Sequence, residues 1–289
     1  MYKPEPVLAA KAICGECPVW EHSTGLLHWI DVHARQLHRF NPATGMDEVW
    51  LLPEKPGSFA LRASGGYLVA LESGIYQASL FGGALDKRFD PEPDQPGNRF
   101  NDGRCDIRGR FWVGSLPVAL DRAAGSLYRC DQQGVERVRE GFIVPNGLAF
   151  SPAGDVIYYA DSRARTVWHA EFDVEAGSLA NERVFVRFAE AEGRPDGAAV
   201  DESGCYWIAH VTGGLVSRYT PDGRRDLVIE MPVSRPTMCA FGGPDLRTLF
   251  ITSGTEHLTD VELGRQPLAG AIFALRTDVA GMPEPLFLG

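Results

Sequence analysis

Side chains that carry oxygen recur at regular places along this chain. Each stands eight or nine residues before a glycine that opens an apolar segment. The five clear cases are Glu16, Ser58, Asn101, Asn146 and Asp196, and a sixth position falls near Thr237. Carboxylate, amide and hydroxyl oxygens are the ligands of hard divalent cations such as Ca²⁺, Mg²⁺ and Mn²⁺. Brought together, these side chains could hold one such cation; the alternative is a polar, hydrated surface without an ion.

The repeat behind this spacing predicts the elements that must position these side chains. A glycine followed at once by an apolar segment recurs at intervals of about 40 to 50 residues, the period of a β-propeller blade. The copies begin at Gly25, Gly66, Gly109, Gly154 and Gly204, and a sixth, at 247–252, lacks the glycine. We therefore predict an all-β fold: a six-bladed β-propeller with four-stranded blades around a central metal-binding channel. Because blades need their neighbours to bury both faces, residues 1–289 should form a single domain.

Each repeat has room for four strands separated by turn residues. In the first repeat we expect strands at 18–22, 26–32, 36–41 and 47–52, with a turn rich in Asn, Pro and Gly between the last two. The innermost strand of each blade lines the channel and starts at one mouth, so the oxygen-bearing positions should converge there. The opening segment 6–12 is predicted to pair with the last blade and close the ring.

Composition and charge limit the partners of this chain. Of its 289 residues 32 are Gly and 20 are Pro, and both types disfavour helices. Lys and Arg number 28 against 38 Asp and Glu, a net charge of −10, so a nucleic-acid partner is not expected. The sequence has no apolar run long enough for a membrane helix and no signal-peptide core at its start. We therefore expect a cytoplasmic monomer with no membrane partner and six reduced cysteines.

Several short motifs resemble one known family. They read GECPVW at 15–20, NRFNDG at 98–103, NGLAFSP at 146–152 and PDG at 195–197, followed by CAFGG at 239–243 and LAGAIF at 268–273. In this order they are similar to senescence marker protein-30 (regucalcin), gluconolactonases and related lactonases. The resemblance covers about residues 14 to 275. It implies a six-bladed propeller with one divalent metal in the channel, which agrees with the repeat count.

The resemblance also implies a role for three of the recurring positions. Glu16, Asn146 and Asp196 match the metal ligands of the family. Carboxylate and amide oxygens serve several metals, so the expected cofactor is one divalent ion: Ca²⁺, Zn²⁺, Mn²⁺, Mg²⁺ or Fe²⁺.

Two further residues match the substrate-binding positions of the family. Arg99 and Asn101 are two residues apart, so on an extended strand they point to the same side. The Arg99 guanidinium could donate to sugar hydroxyls or lactone oxygens. The alternative for Arg99 is a surface ion pair with Asp94 or Asp102.

The chain departs from the family pattern at two places. Cys17 replaces a common Gly beside Glu16, and we expect it to shrink or soften that side of the pocket. Where some relatives carry an acidic substrate contact, the segment 114–120 is apolar and the first acid is Asp121. Recognition of substrate hydroxyls there must differ, or Asp121 must fold back.

Other chemical motifs are weak or missing. Cys14 and Cys17 form a single C-x-x-C pair, which we interpret as two thiols flanking Glu16 and not as a zinc or redox site. His210 follows a blade strand and could approach the pocket. No H-E-x-x-H, G-x-S-x-G or G-x-G-x-x-G motif occurs, which disfavours zincin, serine-esterase and nucleotide chemistry.

The sequence thus predicts hydrolysis of a sugar-acid lactone, such as gluconolactone or a pentonolactone, to the free aldonic acid. A divalent cation would polarise the lactone carbonyl, and Asp196 would take a proton from the attacking water; the competing account is activation of the water by the cation. Phe100, Trp112 and Tyr159 could form pocket walls or simply blade core.

Two other functions remain open from the sequence. One is metal-dependent hydrolysis of other esters or phosphotriesters on the same scaffold. The other is a non-catalytic calcium-binding or docking propeller, which would use exposed loops and need no convergent carboxylates.

Overall fold

The glycines of the repeat stand at turns that demand left-handed backbone. Their φ angles run from 69° at Gly25 to 78° at Gly204, a region in which residues with a Cβ are strained. At Gly66 a Cβ would also lie 2.1 Å from the carbonyl oxygen of Ala78. These positions therefore fix where each hairpin turns, and so they fix the period of the repeat.

A computed structural model describes residues 2–289 and contains six antiparallel four-stranded sheets. The predicted six-bladed β-propeller is confirmed. The chain opens with β1 (Glu5–Leu8). Blade 1 follows, with β2 (Gly15–Glu21), β3 (Leu26–Asp31), β4 (Gln36–Asn41) and β5 (Met46–Leu51). Blade 2 has β6 (Pro56–Leu61), β7 (Tyr67–Leu71), β8 (Gly74–Ala78) and β9 (Asp86–Phe89). Blade 3 has β10 (Asn98–Cys105), β11 (Phe111–Pro117), β12 (Gly125–Cys130) and β13 (Val135–Phe142).

The second half of the ring repeats this order. Blade 4 has β14 (Pro145–Phe150), β15 (Val156–Asp161), β16 (Thr166–Asp173) and β17 (Ser178–Arg187). Blade 5 has β18 (Arg194–Val200), β19 (Tyr206–Val211), β20 (Leu215–Tyr219) and β21 (Arg225–Glu230). Blade 6 has β22 (Pro236–Gly242), β23 (Thr248–Ser253) and β24 (Ile272–Arg276). Two short helices lie in loops, a 3-10 turn (Glu190–Glu192) and α1 (Asp260–Arg265).

The ring closes through strand exchange between the two ends of the chain. β1 pairs antiparallel with β24, so the fourth strand of blade 6 comes from the N-terminus. This is the closure that the opening segment predicted, although β1 is shorter than 6–12. The innermost strand of blade 1 begins at Gly15, three residues before the predicted start at 18, and Glu16 therefore lies within the sheet.

The apolar core is divided among the six interfaces between neighbouring blades. One cluster of buried side chains occupies each interface, including the one between blades 6 and 1. Trp29, Trp112 and Trp207, on the second strands of blades 1, 3 and 5, are at most 1% exposed. Burying one large apolar side chain contributes roughly 1.5 to 3 kcal/mol. Each blade is thus held by both neighbours, and the channel geometry depends on the whole ring.

The C-terminal segment crosses the end of the channel opposite to the starts of the inner strands. Phe287 donates its backbone N–H to Leu61 and Leu288 donates to Gly109. Between these contacts and blade 6, Glu284 approaches Arg104 of β10, with 2.9 Å between Oε1 and Nε. Residues 282–285 border a cavity of about 80 Å³ at this end. The segment therefore closes the channel floor with a partly buried ion pair.

In residues 2–289, none of the helices is long and apolar enough to cross a bilayer.

We predict that Glu284→Gln lowers the free energy of unfolding by about 3 kcal/mol, because it leaves the buried Arg104 charge without its carboxylate. Glu175→Gln is the matched control: Glu175 also pairs with an arginine, Arg108, at 2.7 Å, but both side chains are exposed, so the loss should stay below about 1 kcal/mol. Urea unfolding of both variants checks this. Equal losses would contradict the structural role of the floor pair.

Candidate functional site

Each inner strand interrupts its pairing with the next strand near the recurring polar position. The register shifts between Glu16 and Val19 in β2, between Asn146 and Ala149 in β14, and between Pro195 and Ala198 in β18. The other three inner strands shift at equivalent places. Such bulges bend a strand and redirect its side chains. They turn the side chains at the start of each inner strand towards the channel mouth.

Two of these bulges contain a left-handed residue directly after a candidate ligand. Gly147 follows Asn146 with φ 64°, and a Cβ there would lie 2.5 Å from the Tyr206 hydroxyl. Cys17 follows Glu16 with φ 48°, a conformation that favours glycine. The Cys17 side chain is buried in the cluster between blades 1 and 2, with Sγ 3.6 Å from the carbonyl oxygen of Phe59. Cys17 therefore packs in the core and does not shape the pocket, contrary to expectation.

Glu16 and Asp196 bring two carboxylates to the same mouth from blades 1 and 5. Burial raises the pKa of both well above the ordinary range, and the negative charge of Asp196 raises that of Glu16 further. Among residues 2–289 the Asp196 carboxylate accepts no hydrogen bond, and Glu16 accepts only one, from the Cys17 N–H at 3.3 Å. Two adjacent carboxylates with so few donors are the arrangement that a divalent cation would satisfy.

Asn146 completes the candidate ligand set from blade 4. Its amide nitrogen donates to the Ser162 hydroxyl at 2.8 Å, and its Oδ1 accepts from the Asn101 amide at 3.1 Å. Ser162 in turn donates to the carbonyl of Pro195 at 2.6 Å. The amide orientation of Asn146 is thus fixed with its oxygen on the side of Asn101.

The remaining two recurring positions turn away from this group. The Thr237 hydroxyl donates to the Gly15 carbonyl at 2.5 Å. Ser58 is fully buried, and its Oγ lies against Gly103 of the next blade. Of the six positions, Glu16, Asn101, Asn146 and Asp196 are therefore the ones that the fold turns towards one another.

Arg99 lies on the same side of β10 as Asn101, as the two-residue spacing predicted. Its Nη1 donates to the Asn101 Oδ1 at 3.2 Å and to the Phe100 carbonyl at 2.8 Å. In the described part of the chain no carboxylate oxygen lies within 4.0 Å of the Arg99 guanidinium, so the alternative ion pair with Asp94 or Asp102 does not form. The remaining guanidinium donors of Arg99 are free for a ligand.

Asp102 points in the other direction along the channel. It accepts the Leu148 N–H at 2.8 Å, and burial raises its pKa to about 6. Asp102 adds negative charge below the mouth and further raises the pKa values of Glu16 and Asp196.

A second group of potential ligands lies at this mouth and was missed by the sequence analysis. Cys14, His33 and Glu256 have ligand atoms within 4.8 Å of one another. His33 Nε2 lies 2.9 Å from Glu256 Oε1, and this contact lowers the pKa of Glu256. Cys14 directly precedes β2, whereas His33 and Glu256 lie in two separate turns, and no motif connects the three. Sulfur and imidazole make this set softer than the oxygen-only set beside it.

An acidic side chain approaches the segment 114–121 from a different loop. Asp121 does not fold back: it is exposed and pairs with its neighbour Arg122 at 3.4 Å. Glu92 instead accepts from the hydroxyls of Ser115 and Tyr128, both at 2.7 Å. Glu92 and Arg99 border the same groove. No local pattern around Glu92 distinguishes it from other loop acids.

The candidate pocket walls are core residues. Phe100, Trp112 and Tyr159 are all less than 5% exposed and belong to the clusters between blades 2 and 3 or 3 and 4. His210 is fully buried as well; its Nδ1–H donates to the Glu192 carbonyl at 3.0 Å, and its ring stacks on Phe188. Of these four residues, Phe100 borders the groove beside Arg99, and Trp112, Tyr159 and His210 pack between blades.

Known proteins share both the sequence pattern and the fold of this chain. Residues 14–255 match the family model described as SMP-30/Gluconolactonase/LRE-like region. The chain belongs to this family. It is 43% identical over 285 residues to 6-deoxy-6-sulfogluconolactonase of Pseudomonas putida, covering 98% of both chains. It is 33% identical to regucalcin of Oryctolagus cuniculus, covering 99% of both. The structure of a calcium-binding protein, regucalcin, from Agrobacterium tumefaciens superposes with a TM-score of 0.95 at 30% identity, covering 99% of this chain and 97% of that one.

Membership in the SMP-30/gluconolactonase family supports a lactonase that acts on small sugar lactones. A calcium-binding neighbour in the family also suggests a divalent metal. The donor set fits such an ion, because two carboxylates and one amide oxygen come together from three blades.

We predict that His210 makes stability depend on pH. Burial lowers its pKa from 6.5 to about 4, so the unfolded chain binds this proton before the folded one does. Its contribution is complete above pH 6.5 and is lost as the pH falls towards 4. Relative to His210→Gln, the native protein should lose about 1 to 2 kcal/mol more between pH 7 and pH 5. His22→Gln, at an exposed position, is the control. Identical pH profiles for native protein and His210→Gln would show that His210 titrates normally.

Proposed function

We propose that this protein hydrolyses a sugar-acid lactone to the free aldonic acid with a divalent metal held by Glu16, Asn146 and Asp196, and that residues 1–289 form one catalytic domain. The observation that carries the proposal is the pair of carboxylates, Glu16 and Asp196, which lie together at the channel mouth with almost no hydrogen-bond donors. The position of Asn146 Oδ1 near the same mouth supports a third ligand.

A bound divalent cation would supply Lewis acidity towards the lactone carbonyl. Arg99 would orient the ring through its free N–H groups. The Asn101 amide nitrogen is already bonded to the Pro145 carbonyl and to Asn146, so Asn101 would offer its Oδ1 as an acceptor to a sugar hydroxyl. These two side chains fix which face of the lactone meets Asp196.

Asp196 is the proposed general base. Its carboxylate has no protein hydrogen-bond donor, so it is free to accept a proton from water. The water oxygen would form a bond to the carbonyl carbon while Asp196 takes the proton. The bond from that carbon to the ring oxygen would then break, and Asp196 would return the proton to the leaving oxygen, giving the hydroxyl of the open aldonic acid.

The relatives support a gluconolactone-like ring as the substrate. The Pseudomonas putida protein is named for a gluconolactone with a sulfo group at carbon 6. We propose an aldonolactone of this class, with hexonolactones and pentonolactones as the compounds to compare. The oxygen-only ligand set is compatible with Ca²⁺, Mg²⁺, Mn²⁺, Zn²⁺ or Fe²⁺.

One observation favours a second candidate function, a non-catalytic calcium-binding propeller. The Agrobacterium tumefaciens neighbour is described as a calcium-binding protein. This reading predicts tight metal binding through the same residues without lactone hydrolysis. Activity and metal binding must therefore be measured together.

We predict that Asp196→Asn reduces lactone hydrolysis by roughly a hundredfold or more, because the variant loses its proposed base. Glu16→Gln should act chiefly by weakening metal binding, so a higher metal concentration should partly restore its activity. Hydrolysis of gluconolactone in a pH-stat and metal content by mass spectrometry, before and after EDTA treatment and reloading, check both variants.

The matched control is the double variant Cys14→Ser/His33→Asn, which disrupts the softer ligand group and leaves the oxygen ligands intact. It should keep the metal needed for hydrolysis. If it loses that metal while Asp196→Asn keeps both metal and activity, the ligand assignment is wrong. Full metal binding without hydrolysis of any lactone would favour the calcium-binding alternative.

A further inference from the structure

Four arginines gather at the channel mouth although the chain as a whole carries a charge of −10. Arg163 and Arg165 lie in the turn between β15 and β16, Arg194 begins β18, and Arg235 directly precedes β22. They therefore belong to the adjacent blades 4, 5 and 6. We call these four residues the arginine collar.

The collar residues lie close to the candidate metal ligands along the chain and in space. Ser162, the neighbour of Arg163, accepts from the Asn146 amide and donates to the carbonyl of Pro195. Arg194 stands two residues before Asp196 on the same strand. The charge of Arg235 acts on the Asp196 carboxylate and lowers its pKa, against the larger effect of burial. The collar thus surrounds one side of the mouth.

Most of the collar has no partner within the protein. In residues 2–289, the side chains of Arg163, Arg194 and Arg235 form no hydrogen bond and have no carboxylate oxygen within 4.0 Å. Arg165 makes a loose pair with Glu190 at 3.6 Å, and that glutamate side chain is 93% exposed. Burial is the largest cause that lowers the pKa of Arg194, and the positive charges of the other three arginines lower it further. The four like charges repel one another, and the acidic side chains of Glu190 beside Arg165 and of Asp196 and Glu256 near Arg235 offset only part of this repulsion.

Once a cation is bound, the arginines of the collar are not needed to neutralise the nearby carboxylates. A divalent ion would balance the two charges of Glu16 and Asp196, so the collar would keep its own excess positive charge. The opposite side of the mouth differs: Glu54, Glu72 and Glu92 line the groove beside Arg99. Arginines thus gather at the mouth on blades 4 to 6, beside the Asp196 and Glu256 carboxylates, whereas the groove beside Arg99 is lined by glutamates.

We propose that the arginine collar binds an anionic group on the substrate, so that the preferred lactone carries a sulfonate, phosphate or carboxylate away from its carbonyl. Arginine is suited to this task because its planar guanidinium donates two parallel hydrogen bonds to such groups. The acidic side of the mouth would face the neutral hydroxyls of the ring. The inference rests on the proposed lactonase function and names its substrate class.

The test compares four lactones on the metal-loaded protein: gluconolactone, 6-phosphogluconolactone, 6-deoxy-6-sulfogluconolactone and glucarolactone. We expect kcat/KM to be higher for at least one anionic lactone than for gluconolactone. In Arg163→Gln/Arg194→Gln the ratio of anionic to neutral kcat/KM should fall roughly tenfold to a hundredfold, the loss expected for hydrogen bonds to a charged group. Arg183→Gln, an unpaired exposed arginine on the outer strand β17, should leave the ratio unchanged.

A binding measurement separates this inference from the proposed function. Calorimetry with 6-phosphogluconate and gluconate needs no turnover, and the native protein should bind the phosphorylated acid more tightly, with the difference lost in Arg163→Gln/Arg194→Gln. Hydrolysis of all four lactones with equal kcat/KM and equal binding of the two acids would overturn the collar proposal and leave the lactonase intact. Tighter binding of 6-phosphogluconate without any hydrolysis would support the collar and overturn the lactonase.

Discussion

The closed ring, which holds Glu16 and Asp196 at one mouth, is the constraint on which the candidate site depends. Two buried carboxylates from blades 1 and 5 stay together only if the ring cannot open between them. Blade 6 lies between those blades, and its sheet is completed by β1 from the other end of the chain. A cluster of buried apolar side chains at each interface holds neighbouring blades together around the ring. The site is therefore pre-organised by closure, and binding a cation would relieve part of the electrostatic cost of assembling it.

The floor of the channel also contains charged side chains, but there each charge is paired with an opposite one. Arg104 is buried near Asp102 and pairs with the partly buried Glu284, and the C-terminal segment is anchored to Leu61 and Gly109 on either side. The floor is thus satisfied within the chain, whereas the mouth has oxygen ligands and arginines without partners. The candidate site is therefore distinguished from the rest of the channel by polar groups that lack hydrogen-bond or ion-pair partners, more than by its depth or shape.

The repeat allowed the fold and the candidate ligands to be predicted because glycine turns and inner strands keep one phase around the ring. Counting back from Gly25, Gly154 and Gly204 reached Glu16, Asn146 and Asp196 without any contact information. The direction of a side chain within a bulge could not be predicted that way, which is why Cys17 was placed on the pocket and lies in the core.

Contacts between segments that are far apart in the sequence could not be predicted either. His33 and Glu256 meet only after ring closure, and Glu92 reaches Ser115 from an irregular loop.

The candidate metal ligands lie on strands and the collar charges lie largely in turns, and this separation would allow one family to act on several substrates. The candidate ligands lie on inner strands, where bulges and blade packing fix them, and a change there disturbs the core as well. The collar residues Arg163 and Arg165 lie in a turn, where a substitution removes a charge without repacking a blade. If the collar proposal holds, a change of substrate can act on the rim of the mouth while the proposed metal ligands stay unchanged. The collar arginines lie at the rim and the candidate metal ligands lie on the strands. Two relatives with the same metal ligands could therefore still prefer different substrates.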